Sequence, residues 1–386
     1  MRVQQIALKL EQPLEDQLSQ ARELQPQLVM AFADPAFFET PGVDLAAALH
    51  ATFPNALVIG CSSAGEISTS GVDTGSAVVT AVRFERPGMA MAREKISNMG
   101  DSEAAGERLG AQLATSRPHT VLVFGQGVEL NGSAMIRGLR TALGDQTTIA
   151  GGLAADAGRF VRTFVIAGSD SSVDEIVGLG FNDSALRVST GTFGGWKPFG
   201  ALRRVTRAEG NMLYELDGEP ALNVYRRYLG DHARQLPGSA LLFPFSMVDA
   251  DGRETDVIRT ILGMDEATGS LTLAGEITAN GFLRLMTASS DELIDGAEVA
   301  AEAVAESAGG PSDGFALLVS CVGRRMVLGA RVDEEVEAVG SVVGSRCTLA
   351  GFYSNGEISS TGDVLSCGAG NQLHNQTMTI TRFIET

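Results

Sequence analysis

Short apolar runs alternate with amphipathic stretches along most of this 386-residue chain. The run "QLVMAF" is followed by "VDLAAALHATF", in which Leu45, Leu49 and Phe53 recur at the spacing of one helix face. The same order recurs in "TVLVFGQG" with "SAMIRGLRTAL", in "SALLFPFSMV" with "DVIRTILGM", and in "FALLVSCVG" with "DEEVEAVGSVV". The pattern predicts a strand followed by a helix at four places in the chain.

A glycine-containing corner follows each of these pairs. "GCSSAGEIS" at 60–68 and "GFYSNGEIS" at 351–359 are nearly the same nine letters. "TIAGGLAADAGRF" at 148–160 has the same shape, and "LTLAGEITANGFLRLM" has Gly-Glu-Ile in a shifted register. Strand-like runs such as "SAVVTAVRF" and "TMTITRF" come next. We therefore predict a strand–helix–strand–strand unit that is repeated about four times, with Glu66 and Glu357 at equivalent corners.

The length of the chain and the irregular spacing of the repeats predict its architecture. A chain of 386 residues is longer than one hydrophobic core usually organises, and variable spacing excludes a tight solenoid. The stretch 206–219 is polar and rich in turn residues, so it is a candidate boundary. We predict a mixed α/β fold with two duplicated domains, residues 25–205 and 220–386, whose sheets are flanked by helices.

Charge and cysteine usage restrict the partners and the compartment. The net charge of −18 repels phosphate backbones and anionic lipid, so we expect neither nucleic acid nor membrane as a partner. No apolar run reaches the roughly 18–20 residues of a spanning helix, and the start lacks a signal-peptide core. The four cysteines show no CxxC spacing, which predicts free and mostly buried thiols. We expect a cytoplasmic protein.

The motifs of common catalytic sites do not occur in the sequence. "GQGVELNG" and "AGGLAADAG" do not match a dinucleotide or P-loop motif in a proper strand–helix unit. The four histidines form no HExxH pattern, and "GCSSAG" is not the GxSxG of a hydrolase. We therefore expect a binding protein rather than an enzyme.

Polar side chains at the corners are the candidates for function. Glu66 or Glu357 is placed either to cap backbone donors or to hold a cationic group of a ligand. "SCVGRR" puts Arg324 directly after a buried strand, where chain ends meet ligands in α/β sheets. Its partner is either the carboxylate or propionate of a ligand, or an internal carboxylate, Glu334 or Glu335. Both interpretations stay open at the level of sequence.

One cavity is predicted to collect the C-terminal candidates. Arg324, Tyr353, Glu357, His374 and Asn375 all lie in segments that end strands or form corners. His374, in "NQLHNQTMTITRF", is the histidine best placed to face a pocket, although a hydrogen-bonded histidine at a strand edge is the alternative. Such a set would clamp a zwitterion, with the arginine on a carboxylate and the glutamate on an ammonium group.

Several of these stretches resemble the FIST domain family, a bacterial sensory module with an N-terminal and a C-terminal half. The N-terminal half is indicated by "GCSSAGEI", "AGGLAADAG" and "GGWKPFG…RVT". The C-terminal half is indicated by "LYELDGEPALNVYRRYLG", "SCVGRRMVLGARVDEEV", "GFYSNGEIS" and "LHNQTMTITRF". On this resemblance, 25–205 is a FIST N-terminal domain and 220–386 a FIST C-terminal domain. The resemblance implies a small-ligand sensor that acts through a separate histidine kinase or cyclic-di-GMP enzyme.

Stand-alone members of this length are similar to the NosP group of haem-binding nitric oxide sensors. That resemblance implies haem b, with His374 as the axial ligand and His232 as the alternative. Arg324, Arg226 and Arg227 are the candidates to neutralise the propionates. The alternative within the family is a sensor that binds an amino acid or a related metabolite without haem.

Overall fold

A computed structural model describes residues 1–86, 88–236, 238–278, 280–308, 313–361 and 370–386. Its strands form three six-stranded sheets and one nine-stranded sheet, with helices packed on their faces. The predicted class, a mixed α/β fold with helices flanking the sheets, is confirmed.

The elements follow one another in chain order. The first part of the chain contains β1 (Arg2–Lys9), α1 (Leu14–Leu18), β2 (Leu28–Ala33), α2 (Ala36–Glu39), α3 (Leu45–Thr52), β3 (Leu57–Ser62), β4 (Glu66–Ser68), β5 (Gly71–Asp73) and β6 (Ser76–Arg83). The second contains β7 (Met89–Lys95), α4 (Ser102–Ala114), β8 (Thr120–Gly125), α5 (Gly132–Leu143), β9 (Thr148–Leu153), β10 (Val165–Ala167), β11 (Asp170–Ser172) and β12 (Glu175–Phe181).

The rest of the chain begins with β13 (Leu186–Phe193) and an inserted segment. The inserted segment contains β14 (Lys197–Pro198), β15 (Arg203–Glu209), β16 (Met212–Leu216), β17 (Glu219–Pro220), α6 (Ala221–Leu229), β18 (Phe245–Val248), β19 (Glu254–Arg259), β20 (Ile261–Asp265), β21 (Ser270–Leu273) and β22 (Phe282–Thr287). The last part contains α7 (Ser290–Ala308), β23 (Gly314–Cys321), α8 (Val322–Leu328), α9 (Val332–Val343), β24 (Cys347–Ser354), β25 (Gly356–Thr361), β26 (Gly370–His374) and β27 (Met378–Glu385).

The three six-stranded sheets have the same strand order and the same strand directions. They run β1-β6-β2-β3-β10-β11, β7-β12-β8-β9-β25-β26 and β13-β27-β23-β24-β4-β5. The central pair is parallel in each sheet, and the other pairs are antiparallel. The last two strands of each sheet form a hairpin that belongs to another part of the chain. Three units therefore exchange hairpins in a ring.

A glycine in the same register confirms that the three units are equivalent. Gly60 pairs with Ala31, Gly151 with Val123, and Gly351 with Leu318 across the parallel strands. A Cβ on any of these glycines would lie about 2 Å from the carbonyl oxygen of its partner, which is far inside van der Waals contact. The three predicted corners thus share a glycine because the backbones of the two parallel strands approach closely at this position.

The repeat count differs from the prediction of about four. The units built on "QLVMAF", "TVLVFGQG" and "FALLVSCVG" are present, whereas "SALLFPFSMV" and "DVIRTILGM" belong to the nine-stranded sheet of the insertion. The predicted helix "DVIRTILGM" is instead the strands β19 and β20, because a short apolar run with β-branched residues satisfies either period. The candidate boundary 206–219 forms β15 and β16 inside this insertion.

Aromatic side chains from all three units meet in the core. Phe32 stacks on Phe352 with ring centroids 4.6 Å apart, and Phe124 contacts both rings edge-on, at 5.4 and 5.8 Å. The three side chains are fully buried. Offset and edge-on ring pairs add specificity to the area that they bury, so this cluster fixes how the sheets meet.

The described residues bear on two predictions, the state of the thiols and the presence of membrane-spanning helices. Cys61, Cys321 and Cys347 are free and buried, as predicted, and Cys367 lies outside the described residues. Among the helices in the described ranges, none has the length and apolar character needed to span a bilayer.

Candidate functional site

A cleft of about 430 Å³ lies between the inserted sheet and the core. The core wall comes from α5 and β26, and the opposite wall comes from β18, β19 and the segment that follows β21. Its described lining residues are Ser133, Ile136, Arg137, Arg140, Met247, Thr255, Val257, Arg259, Glu276, Ile277, Thr278, Asn371, Gln372 and Leu373. The volume and the mixture of apolar and polar groups are typical of a site for a small molecule.

Arg259 is the most unusual residue in this lining. Its side chain is 7% exposed, and its hydrogen bonds go to main-chain carbonyls of Glu276, Ile258 and Leu373, at 3.1–3.2 Å. No carboxylate in the described ranges forms an ion pair with it. Burial lowers the pKa of Arg259 to about 10, and the charge of Glu276 opposes that shift. The guanidinium stays protonated at neutral pH.

The other two arginines of the cleft are neutralised by carboxylates. Arg137 donates to Glu276 at 2.7 Å and to Glu103 at 2.9 Å, which joins α5 to the insertion. Arg140 donates to Asp145 at 2.6 and 2.9 Å. These pairs are partly exposed, so each adds little stability by itself. They leave Arg259 as the uncompensated charge of the lining.

The insertion distinguishes this cleft from two equivalent grooves in the core. Each exchanged hairpin lies against the helix of the unit that it joins. Hairpin residues 69–71 and α9 line one groove of about 680 Å³, and residues 167–170 with His50 of α3 line another of about 450 Å³. The described lining of both grooves comes from the core alone. Only the groove on α5 gains a second wall from the insertion.

The predicted site residues lie elsewhere, because none of the six lines this cleft. Arg324 is fully buried and pairs with Glu335, donating from Nε at 2.8 Å. Tyr353 donates to the other oxygen of the same carboxylate at 2.7 Å. Between the alternatives left open by the sequence, the structure selects the internal pair, and it selects Glu335 rather than Glu334. A buried charge has to be paired within the protein when no ligand reaches it.

Glu66 and Glu357 are buried hubs of two equivalent corners. Glu357 accepts from the Ser354 hydroxyl at 2.7 Å, and from the amide and hydroxyl of Thr377 at 3.2 and 3.0 Å. Glu66 accepts from the Ser63 hydroxyl, and from the amide and hydroxyl of Ser76 at 3.3 and 3.0 Å. Of the two roles considered for these residues, the observed contacts are those of a carboxyl that caps backbone donors.

His374 and Asn375 lie beside the Glu357 hub and do not line the cleft described above. His374 is the last residue of β26 and the cross-strand neighbour of Glu357. Burial lowers the pKa of His374 to about 4, with a further contribution from Arg259, so the ring is neutral at pH 7. Its Nε2 and both polar atoms of the Asn375 side chain are buried and have no hydrogen-bond partner in the part of the chain that the structure describes. The convergence of the five side chains on one cavity stays a prediction: Arg324 and Tyr353 share Glu335, and Glu357, which feels the charge of Arg324, pairs across the strands with His374.

The two histidines considered as axial haem ligands lie in different surroundings. A haem requires a flat apolar slot beside the ligand nitrogen. The Nε2 of His374 is unpartnered, but the residue is 2% exposed and is absent from the lining of the cleft. His232 is exposed on a short 3₁₀ turn at Gly230–Gln235, with its ring beside Phe243.

The arginines proposed for the propionates are also engaged. Arg226 pairs with Glu266, and Arg227 pairs with Glu219 at 2.6 Å on the surface. Among the described residues no group of three or more His, Cys, Asp or Glu side chains is arranged to hold a metal ion.

Sequence reasoning missed the residues of the cleft because they come from four distant segments. One signal was available: Arg259 interrupts the apolar run "DVIRTILGM", and a lone arginine in a buried strand requires a partner. The third Gly-Glu-Ile match was noticed, but as a corner. Its glutamate, Glu276, instead lies in the segment after β21 and contributes to the cleft.

Known proteins with similar sequences come from mycobacteria. An uncharacterized protein of Mycobacterium tuberculosis is 25% identical over 245 residues, which cover 62% of this chain and 61% of that protein. An uncharacterized protein of Mycobacterium bovis is 26% identical over 197 residues, which cover 50% of this chain and 49% of that protein. The chain therefore spans less than two thirds of the length of these relatives.

One solved structure covers the whole chain at low similarity. It is a crystal structure of cyanuric acid hydrolase from A. caulinodans, with a TM-score of 0.38 and 11% identity. The alignment covers 100% of this chain and 98% of the hydrolase.

Two family models together match most of the three units and nearly the whole insertion. The FIST N domain matches residues 27–219, and the FIST C domain matches residues 221–360. FIST domains are associated with small-ligand sensing in signal transduction. This chain belongs to the FIST family and contains both of its domains.

Proposed function

We propose that this protein is a sensor that binds a small metabolite of the amino-acid class in the cleft between the inserted sheet and the core. It performs no chemistry on the ligand, and it reports occupancy to a separate signalling protein, such as a histidine kinase or a cyclic-di-GMP enzyme. The observation that carries the proposal is Arg259, a buried guanidinium at the wall of the cleft whose hydrogen bonds satisfy neutral carbonyls only. A bound carboxylate would supply the missing charge partner.

The position of the cleft provides a means of reporting occupancy. Two segments, 194–196 and 288–290, connect the insertion to the core. Arg324 contacts the first segment and the helix that follows the second, because its guanidinium donates to the carbonyl of Gly194 and, at 2.8 Å, to that of Leu293 in α7. A ligand that contacts both walls favours the closed arrangement of two bodies joined by such connections. The surface presented to the partner protein then changes with occupancy.

A thermal-shift screen of the purified chain against the twenty amino acids tests the binding step. We expect at least one compound to raise the melting temperature in a concentration-dependent way, because a ligand that binds only the folded state stabilises it. The same compound is then titrated against Arg259→Lys and against the matched control Arg253→Met, which changes an exposed arginine of the insertion outside the cleft. Binding that survives unchanged in Arg259→Lys, or is lost equally in the control, would contradict the assignment of the cleft.

Haem-based nitric oxide sensing is the competing proposal, and the unpartnered Nε2 of His374 favours it. When bound, haem would supply the iron that takes up nitric oxide. An absorption spectrum after reconstitution with haem separates the two proposals. A Soret band that disappears in His374→Ala, or in His232→Ala, would replace the metabolite sensor by a haem protein. We expect no such band from a bound haem.

A further inference from the structure

We infer that the cleft recognises the acid group of its ligand and not the amino group. This inference rests on the proposed function, because it assigns the chemistry of the same site. Four observations carry it: the state of Glu276, the state of Arg259, the hydroxyl of Ser133 and the apolar part of the lining.

Glu276 is not available to bind an ammonium group. It is the carboxylate in the described lining of the cleft, and its Oε2 already accepts from Arg137 at 2.7 Å. Its Oε1 lies 3.5 Å from the side-chain nitrogen of Asn131, at the limit of a hydrogen bond. An incoming ammonium would have to displace the guanidinium that links α5 to the insertion. The clamp on both ends of a zwitterion, expected from the sequence, is thus not available here.

Arg259 is available for a carboxylate. Its position is fixed by three main-chain carbonyls, one of them on β26 of the core. Because the side chain is held before a ligand arrives, little rotamer entropy remains to be lost on binding. A carboxylate beside it would also remove the cost of an unpaired buried charge.

Ser133 supplies a second donor from the opposite wall. Its Oγ is buried and has no hydrogen-bond partner among the described residues. Ser133 is the second residue of the 12-residue helix α5, whose cap Asn131 accepts from the amide of Ala134 at 3.1 Å. The N-terminal end of a helix of this length favours negative charge. Ser133 and the first turn of α5 thus belong to the lining of the same cleft as Arg259.

The apolar part of the lining comes from both walls. Ile136 and Leu373 line it from the core, and Met247, Val257 and Ile277 line it from the insertion. Such a surface accepts a short branched hydrocarbon chain, and the other polar residues of the described lining, Thr255, Thr278, Asn371 and Gln372, carry no charge. The inferred ligand is therefore a small aliphatic carboxylic acid in its ionised form, with or without an amino group.

Four related probes separate the acid group from the amino group: leucine, 4-methylpentanoate, 4-methylpentanamide and isoamylamine, measured by calorimetric titration of the full chain. We expect 4-methylpentanoate to bind within about threefold of leucine, because deleting the amine removes no contact of the site. We expect the amide and the amine to bind at least about 30-fold more weakly, since a buried charge pair is lost. Binding of isoamylamine as tight as that of the acid would overturn the inference.

Two variants and a control localise the effect. Ser133→Ala is expected to weaken 4-methylpentanoate about three- to tenfold by removing one hydrogen bond, and Arg259→Lys more strongly, because the fork of donors is lost. Arg253→Met should bind as the unmodified chain does. Equal affinity of all variants for the acid would place the anion elsewhere. If none of the four probes and no amino acid binds, the proposed function fails; if neutral analogues bind as well as acids, only the acid-group inference fails.

Discussion

The corner at Glu66 and the corner at Glu357 have the same hydrogen bonds but different surroundings. In both, a glutamate accepts from a serine three residues earlier and from the amide and hydroxyl of a residue at the start of the closing strand, Ser76 or Thr377. Near Glu66 the additional charge is Asp34, which raises the pKa of the carboxyl; near Glu357 it is Arg324, which lowers it. Neighbouring charges alone would therefore give Glu66 the higher pKa.

The pKa of both carboxyls is raised whatever the sign of the neighbouring charge, because desolvation is the largest effect at each corner. Burial raises the pKa of Glu66 to about 7 and that of Glu357 to about 8. The hydrogen bonds and Arg324 lower the pKa of Glu357 without compensating for its burial. Removing a carboxylate from water outweighs a cation at moderate distance when the group is enclosed on all sides.

The middle unit shows that the fold does not need this carboxyl. In the same register, Val165 occupies the position of the glutamate and Ala154 that of the serine. Its closing strand begins at Glu175, where the other units have Ser76 and Thr377. Two of the three equivalent corners thus carry a glutamate at this position, where its burial costs stability at neutral pH.

The largest expected effect comes from Arg324→Met, which removes the cation near one corner only. The change leaves the Glu335 carboxylate buried without its partner, and such losses cost about 3–5 kcal/mol of unfolding free energy. We expect that loss in urea unfolding at pH 7, together with a further rise in the pKa of Glu357 and no change at Glu66. The control Arg331→Met removes an exposed pair with Glu334 and should cost less than about 1 kcal/mol. Equal costs for both variants would contradict the structure.

The effect of Glu357→Gln on the free energy of unfolding should depend on pH. Between about pH 4.5 and pH 8 the unfolded state has lost the proton of Glu357 while the folded state retains it, so the stability of the unmodified protein falls as pH rises. The glutamine side chain does not titrate. The unfolding free energy of the variant, relative to that of the unmodified protein, should therefore rise by roughly 2–4 kcal/mol between pH 5 and pH 8. Unfolding curves at several pH values measure the gain. A difference that does not depend on pH would refute the raised pKa.

Glu66→Gln should repeat this behaviour at smaller amplitude and over a narrower window. Its carboxyl titrates near pH 7 in the folded state, so the relative gain of the variant ends about one pH unit earlier than for Glu357→Gln. We expect the relative gain in unfolding free energy to be roughly 1–3 kcal/mol between pH 5 and pH 7.5. Asp34→Asn in the unmodified background should shift the same midpoint downward. A larger effect at Glu66 than at Glu357 would reverse the ranking of the two corners.

Local patterns predicted the repeating elements well because each depends on a few neighbouring residues. The spacing of Leu45 and Leu49 identifies α3. The partner of each hairpin could not be predicted, since Glu66 pairs with Phe352 and nothing near either residue encodes that choice. The prediction of a helix at "DVIRTILGM" is wrong, because its apolar residues fit the period of a strand as well as that of a helix.

The candidate site was harder to predict than the fold. The sequence predicts that Arg324 needs a partner for its charge. Glu335 is among the candidates, because both residues lie in one short stretch. The sequence does not indicate the cleft, because Arg259, Ser133 and Leu373 meet only after an insertion folds over an exchanged hairpin. Contacts between segments that are far apart leave no spacing to detect.

Exchange of hairpins also has a consequence for synthesis on the ribosome. Ser68 of β4 pairs with Ala350 of β24, so the first hairpin must await a strand about 280 residues later in the chain. At about 5–20 residues per second, that interval lasts on the order of 15–60 s. Throughout it, the hairpin has an unpaired edge that is open to pairing with another nascent chain. Cells that produce this protein are expected to need a chaperone during translation, and less so once the last strand has emerged.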